Sequence, residues 1–557
     1  MTLVRAALYS GLFAAALLFN GYGAPELWFS DELTSFIELM IQGGTTEPLS
    51  FAYPAGLHTY LAIGGYRLAA ALSGVGEFDR VLLIYVARSL SAIFFVLSVL
   101  CAEKAIATVN GRGHDLKTVV LVGTSCALVH HAHIATVQAS LFFGIALAYW
   151  ALARTLVLRT GRAYYLAAAA CGVAVGAKYP GIYMGIALPF AYIYAFRPGV
   201  LRFARGMALT ALSAGAAVLA ANPYIAVRFE RFLSDVMMVA LREAPHFQAA
   251  AKGISATLDL TYEFMEAFFS IPGAALVLTG IVAGAIVAAA WRESRRSDRA
   301  VMLVVIAITA AAYLMLQTAI AIPQSRYFIP LGLAAALAFS LSVDIVAAAL
   351  VRRPRWLAYP AYGALTLMVV VVLGGSMASG FAHVSVFPES GKLKAQRAVE
   401  AAMTNDPSLR VVQFSYGGRT ATLLDQKLCG SRCRVVALDR LAVDRPMETW
   451  DEFIDAAVSA ARDFGADLIL AEDIIFVWQL FIPTRLADDY SRRFDFPNPG
   501  LPSWLVKLET AGFVKSRVFE RVEGLSWAYP ILSKSVLRTI EGIGGDVHSF
   551  ERRPLAH

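Results

Sequence analysis

The sequence predicts a mostly α-helical protein: a polytopic transmembrane bundle followed by a soluble C-terminal α/β domain. Three observations predict it. Of the 557 residues, 58% are hydrophobic and only 16% charged, against about 25% charge in an ordinary globular chain. Mean hydropathy is +0.60. The scarcity is also uneven: residues 1–379 form a series of long apolar runs, whereas residues 380–557 have the composition of a soluble domain. A chain this poor in charge cannot wet the surface of several soluble domains. That excludes a soluble multidomain enzyme for most of the chain, and a disordered chain as well.

A span needs roughly 20 apolar residues. Candidate spans are Ala6–Gly23, Val81–Ala105, Lys117–Ile134, Ala139–Leu158, Ala163–Gly176, Gly181–Phe196, Ala204–Ala221, Ile271–Trp291, Ala300–Ile320, Phe328–Val351 and Leu357–Ser379, giving about eleven spans. The first follows Arg5 and lacks a clear signal-peptidase site, so it is read as uncleaved. Ala55–Ser73, with His58, Arg67 and several glycines, is ambiguous. If it does not cross, the basic connections Arg112/Lys117, Arg159/Arg162, Arg197/Arg202/Arg205, Arg292/Arg295/Arg296/Arg299 and Arg352/Arg353/Arg355 all fall on the cytoplasmic side. If it crosses, all face outward. The first arrangement obeys the positive-inside rule, so Ala55–Ser73 is expected to lie at the outer interface. Residues 25–80 and 222–270 then form external loops, and the C-terminal domain is extracytoplasmic. The expected location is the inner (plasma) membrane.

In the C-terminal domain, Leu409–Ser415, Arg434–Leu438 and Ala466–Leu470 read as strands and Thr449–Phe464 as an amphipathic helix. The alternation predicts an α/β domain. Cys429 and Cys433 form C-G-S-R-C, a candidate small disulfide loop outside the cytoplasm. Cys101, Cys126 and Cys171 lie inside apolar runs and read as packing residues. The net charge of +7 reads as orientation rather than nucleic-acid binding, because no basic and aromatic signature of that kind is present.

Ionisable residues near a membrane are the informative ones. On this topology five groups gather at the outer face. Asp31 and Glu32 follow Trp28-Phe29-Ser30, either as general-base or cation-binding carboxylates or as the acidic first turn of a helix. Tyr53-Pro54 opens an aromatic segment containing His58, which otherwise reads as an interfacial anchor. Lys178 sits in the turn Gly176-Ala177-Lys178-Tyr179-Pro180-Gly181, where it either snorkels or acts. Arg326-Tyr327 opens a late span; guanidinium suits phosphate. His130, His131 and His133 stand at a span end without an adjacent carboxylate, favouring polar packing over a metal. Arg88 and Asn222-Pro223-Tyr224 complete the set. Arg228, Arg242 and His246 read as loop charges.

In this order the motifs resemble the C-type (GT-C) membrane glycosyltransferases of family 39, the group of the protein O-mannosyltransferases and the lipid A aminoarabinose transferase. The resemblance covers residues 1–379. It rests on the acidic pair Asp31-Glu32, the proline segment Tyr53-Pro54-Ala55-Gly56-Leu57-His58-Thr59-Tyr60-Leu61, Arg88-Ser89-Leu90, the Lys178 turn, and Arg326-Tyr327-Phe328-Ile329-Pro330. Gln138 stands where the family often has aspartate, and Ala55 replaces a second proline. The C-terminal domain does not match the β-trefoil of the eukaryotic members.

The resemblance implies transfer of a sugar from a polyprenyl-phosphate donor to a lipid, glycan or protein hydroxyl, with inversion. Asp31 would be the base, with Glu32 orienting the acceptor or holding a divalent cation, the one cofactor it allows. Lys178, Arg326, Tyr327 and Arg88 would bind the donor phosphate, and His58, Tyr53 and Gln138 would contact donor or acceptor. The competing class is a transporter or lipid flippase. It predicts charges along a path across the bilayer rather than on one face.

Overall fold

Within hydrocarbon a single chain segment satisfies its backbone polar groups by forming a helix, and the apolar runs do so. The protein is described by a computed structural model covering residues 2–18, 34–48, 51, 56–237, 298–319, 329–351, 353–386, 391–415, 430–438, 441, 449–472, 481–482, 492–493, 501–519 and 547–552. The described part of residues up to Val384 forms one compact unit, and that from Ser385 onward a second.

The described part of the first unit is helical. Its helices are α1 (Thr2–Leu17), α2 (Thr34–Gln42), α3 (Leu57–Ser73), α4 (Arg80–Asn110), α5 (Leu116–Gly123), α6 (Cys126–His133), α7 (Val137–Leu158), α8 (Gly161–Ala177), α9 (Ala187–Phe196), α10 (Val200–Ala221), α11 (Tyr224–Val227), α12 (Asp298–Ala319), α13 (Ile329–Leu350) and α14 (Arg355–Val386). Among the described residues six helices are long and apolar enough to cross a membrane: α4, α7, α10 and the windows Asp298–Met315, Pro330–Leu350 and Arg355–Ala378. The expected span Lys117–Ile134 is divided between α5 and α6 at Thr124-Ser125. The expected Gly181–Phe196 begins as a 3-10 helix, Tyr179–Ile186, with Pro180 near its start, before α9. Ile271–Trp291 lies outside the described residues. Cys101 and Cys171 are buried free thiols.

Helix ends are set locally. Asp79 caps α4, its Oδ1 accepting from Val81 N at 2.8 Å and Leu82 N at 3.1 Å. Gly111, at φ +65°, closes the same helix in the left-handed region.

Contacts between chain-distant ends align the bundle. Asn110 Nδ2, Arg112 Nη1 and Lys117 Nζ, at the end of α4 and start of α5, donate to Asp344 of α13 at 2.7, 3.0 and 3.2 Å. Arg159, after α7, and Tyr194, near the end of α9, both donate to Asp298 at the start of α12. The described basic connections thus lie at one end of the bundle, as the positive-inside rule requires of a common face. Glu103 is also fully buried towards this end. It accepts from Tyr9 OH at 2.9 Å and stands 3.3 Å from His114 Nδ1.

The second unit holds a five-stranded sheet of order β2-β1-β3-β7-β6. The strands are β1 (Val411–Ser415), β2 (Cys433–Ala437), β3 (Leu468–Glu472), β6 (Phe513–Phe519) and β7 (Val547–Arg552); a separate two-residue pair is β4 (Phe481–Ile482) with β5 (Arg492–Arg493). β1 pairs in parallel with β2 and β3, whereas β7 runs antiparallel to β3 and β6. The unit also contains α15 (Gly391–Asn405), α16 (Trp450–Phe464) and α17 (Leu501–Thr510).

The helix α16 follows its sequence closely. Thr449 Oγ1 caps Glu452 N at 3.2 Å, acidic Asp451 and Glu452 occupy the first turn, Arg462 the last, and Gly465 ends it at φ +73°. Its buried stripe, Phe453, Ile454, Ala457, Val458 and Ala461, packs in the same core as Val412, Phe414 and Ile469 of the sheet. Every residue of β1 is buried, as befits the middle of a covered parallel sheet. The three expected strands and the helix are present with ends shifted by one or two residues. The antiparallel pair β6–β7 was not anticipated. Cys433 is disulfide-bonded; Cys429 lies outside the described residues.

Candidate functional site

The end of the bundle away from the basic connections is organised by α3. With 17 residues it is about 25 Å long, short for a span. One stripe, His58, Thr59, Ala62, Ile63 and Tyr66, is buried. Another carries Leu61, Leu68 and Leu72, which are exposed, Leu72 by 80%. It packs along α4: the His58 ring tilts against the Phe94 ring, and Tyr66 OH accepts from Asp79 N at 2.9 Å. The His58 ring reaches Ala87 O at 3.2 Å, while a Cβ on Gly65 would stand 3.0 Å from Val86. The helix thus buries one stripe and leaves a leucine stripe outward.

Glycines let the helix ends meet. A Cβ on Gly56 would fall 2.1 Å from Gly176 O, and one on Gly176 would fall 2.5 Å from the Ala221 Cβ. The start of α3 and the ends of α8 and α10 are thus in backbone contact. Gly56→Ala is expected to cost about 1–3 kcal/mol by overpacking. Gly64→Ala, on the same helix but with nothing within 4 Å of the new methyl, should gain up to ~1 kcal/mol. Thermal midpoints in detergent compare the two; equal midpoints would refute the tight junction.

This junction gathers several of the expected residues. Arg88, the residue after the Ala87 carbonyl that His58 touches, is fully buried, an expensive placement for a guanidinium. It is an electrostatic neighbour of His133. His58 is wholly buried beside Ala87 and the Thr136 backbone, and burial holds its pKa down to about 4 against the opposing pull of those backbone groups. It is therefore a neutral imidazole at neutral pH. Gln138 is buried at the start of α7. Lys178 closes α8, its N–H donating to Ala174 O.

His131 and His133 are engaged in packing; the His130 side chain lies outside the described residues. His131 Nδ1 lies 3.3 Å from Thr136 Oγ1, and His133 lies 2.8 Å from Val129 O and 3.1 Å from Ala15 O. Among the described residues no group of three His, Cys, Asp or Glu stands together to hold a metal ion. Asp31, Glu32, Tyr53, Arg326 and Tyr327 lie outside the described residues.

Sequence reading missed a second layer around this junction. Tyr60 OH donates to Asn222 Oδ1 at 3.2 Å, and its ring stacks on Tyr224 at 6.3 Å between centroids. Tyr179, next to Lys178, donates to Phe51 O at 2.7 Å, while Phe51 N donates to Asp235 at 2.8 Å. Burial first, then Tyr224, Glu47 and Tyr179, raises the Tyr60 pKa, so its hydroxyl stays protonated. Arg228 and Arg231 are not free loop charges; both bond Glu47, at 3.1 and 3.0 Å. Glu38 of α2 receives two hydrogen bonds from Arg80, at 3.1 and 2.8 Å. The signal available in the sequence was Asn222-Pro223-Tyr224, a polar break at a span end.

No sequence family matches the chain, nor does any curated protein. Solved structures do superpose on it. ArnT from Cupriavidus metallidurans bound to undecaprenyl phosphate does so with 15% identity and a TM-score of 0.47, over 87% of this chain and 97% of that one. The oligosaccharyltransferase of Archaeoglobus fulgidus, in complex with zinc and sulfate, gives 13% identity and 0.43, over 97% of this chain and 88% of that one. The mycobacterial arabinofuranosyltransferase AftD gives 13% and 0.41, over 99% of this chain but 40% of that one.

Proposed function

We propose that the chain is a membrane glycosyltransferase that moves a sugar from a polyprenyl-phosphate donor to an acceptor hydroxyl on the extracytoplasmic side. One observation carries the reading: buried Arg88, neutral His58 and Gln138, with the Lys178 turn, gather where helix ends meet, away from the basic connections. A flippase would need charge along the bilayer path. Among the described residues the buried acids Glu103, Asp115 and Asp344 lie towards the basic end, with Tyr9, His114, Lys117 and Arg112 among their partners.

In the proposed reaction the acceptor O–H bond breaks and its proton passes to the Asp31 carboxylate. The acceptor oxygen bonds the anomeric carbon from the face opposite the phosphate. The bond from that carbon to the phosphate oxygen breaks, and its electron pair stays on the phosphate. Lys178, Arg326 and Arg88 balance that charge in a site of low dielectric, where fixed cations act strongly. Tyr327 joins them on the donor phosphate, and Tyr53, Gln138 and His58 contact the donor or acceptor, the last as a neutral group that adds no competing charge. Glu32 orients the acceptor. No nucleotide loop is needed, since the donor is a lipid.

The test incubates purified protein with radiolabelled polyprenyl-phosphate sugars and membrane acceptors. Label should leave the donor and appear in an acceptor. Lys178→Ala should lower transfer by about 10- to 100-fold. Unchanged turnover in that variant removes Lys178 from the site, and no transfer by wild-type protein from any such donor overturns the reading.

A further inference from the structure

The donor-binding reading leaves one buried group at the junction unused. Asn222 ends α10 and is 1% exposed. Its Oδ1 accepts the Tyr60 hydroxyl, which orients the amide. Its Nδ2, also buried, has no hydrogen-bond partner among the described residues, and neither has the buried Oγ1 of Thr59, the residue before Tyr60. A buried donor left unmade costs about 1–3 kcal/mol, and native chains tolerate few such groups without a reason.

The surroundings supply one. Ala221, the preceding residue, packs on Gly176, two residues before Lys178. Tyr179 is an electrostatic neighbour of Tyr60. The Asn222 amide thus faces the same three-helix junction as the lysine turn and the His58 segment, held by a tyrosine that takes its oxygen and leaves its N–H groups to offer. Thr59 adds a hydroxyl that can both donate and accept.

We infer that Asn222 is a binding residue for the donor headgroup, giving an N–H hydrogen bond to a headgroup oxygen. Tyr60 is a positioning residue that acts through Asn222. The inference rests on the transferase reading. The oxygen belongs either to the phosphate or to a sugar hydroxyl, chemistries an amide N–H serves alike.

The test measures affinity of the full-length protein for undecaprenyl phosphate and for undecaprenyl-phosphate hexose, in detergent. The informative variant is Tyr60→Phe/Asn222→Leu, which replaces both partners of the hydrogen bond with apolar groups of similar size. Such paired replacement is nearly neutral for folding, so the thermal midpoint should hold or rise. Kd for the hexose lipid should nevertheless rise tenfold or more. An equal rise for the bare phosphate lipid places the contact on phosphate; a rise for the hexose lipid alone places it on the sugar. Asn222→Asp is the second variant: it keeps an oxygen for Tyr60, removes the N–H donor, and should weaken binding as well. Kd values within twofold of wild type in both variants overturn the inference while leaving the transferase reading intact. Failure of wild-type protein to bind either lipid overturns both.

Discussion

Asp31→Asn should lower sugar transfer by about 100- to 10,000-fold, the usual worth of a positioned general base, while the protein folds and still binds its donor. Asparagine matches the shape of the carboxylate but cannot take the acceptor proton. The donor-phosphate cations are separate residues, so Kd for a polyprenyl-phosphate sugar should stay within a few-fold. Glu32→Gln is the paired measurement. If Glu32 only orients the acceptor, its loss should raise the acceptor KM more than it lowers kcat, whereas Asp31→Asn should act on kcat. Near-normal turnover in Asp31→Asn together with a dead Glu32→Gln would transfer the base role to Glu32. The product anomer provides an independent check. One base and no covalent intermediate require inversion, so a product that retains the donor configuration would exclude this mechanism altogether.

The sequence was most legible where a single physical rule acts over a long stretch. Apolar length placed α4, α7, α10 and α12 to α14, because lipid leaves an apolar segment little alternative to helix. The run of basic connections predicts that α3 does not cross the membrane. The amphipathic stripe and Thr449 cap placed α16 almost to the residue. Legibility failed where the decisive partner is far along the chain. Arg88 could be singled out as an intramembrane cation, but the pairing of Tyr60 with Asn222 spans 162 residues, and nothing in either local pattern points to the other. β7 joins β3 edge to edge in the same way: its segment, Val547–Arg552, is short and mixed in polarity, so only tertiary pairing makes it a strand. Sequence reading also sent the informative charges to one face and passed over Glu103 and Asp344, each a lone acid inside an apolar run.

Asp344→Ala should be the most destabilising of the substitutions considered. The carboxylate is 7% exposed and binds three donors from the other side of the bundle: Asn110 Nδ2 at 2.7 Å, Arg112 Nη1 at 3.0 Å and Lys117 Nζ at 3.2 Å. Removing one partner of a buried ion pair costs about 3–5 kcal/mol, because the remaining charge stays desolvated. Two features set where this case falls. Arg112 is half-exposed and recovers water, and Lys117 keeps Asp115 at 3.0 Å, both of which lower the cost. Asn110 is worse off, since its Oδ1 already lacks a partner and the substitution would orphan its Nδ2 as well. The net is roughly 3 kcal/mol, read as a fall in the denaturant or thermal midpoint in detergent. Asp344→Asn separates hydrogen bond from charge: it retains an oxygen for Asn110 and should recover a substantial part of the loss. The effect should also be local to stability. Asp344 lies at the basic end of the bundle, so Asp344→Ala protein that remains folded at low temperature should bind undecaprenyl phosphate like wild type. A folded variant that had lost that binding would mean that the two ends of the bundle are coupled, and that Asp344 does more than hold α4, α5 and α13 together.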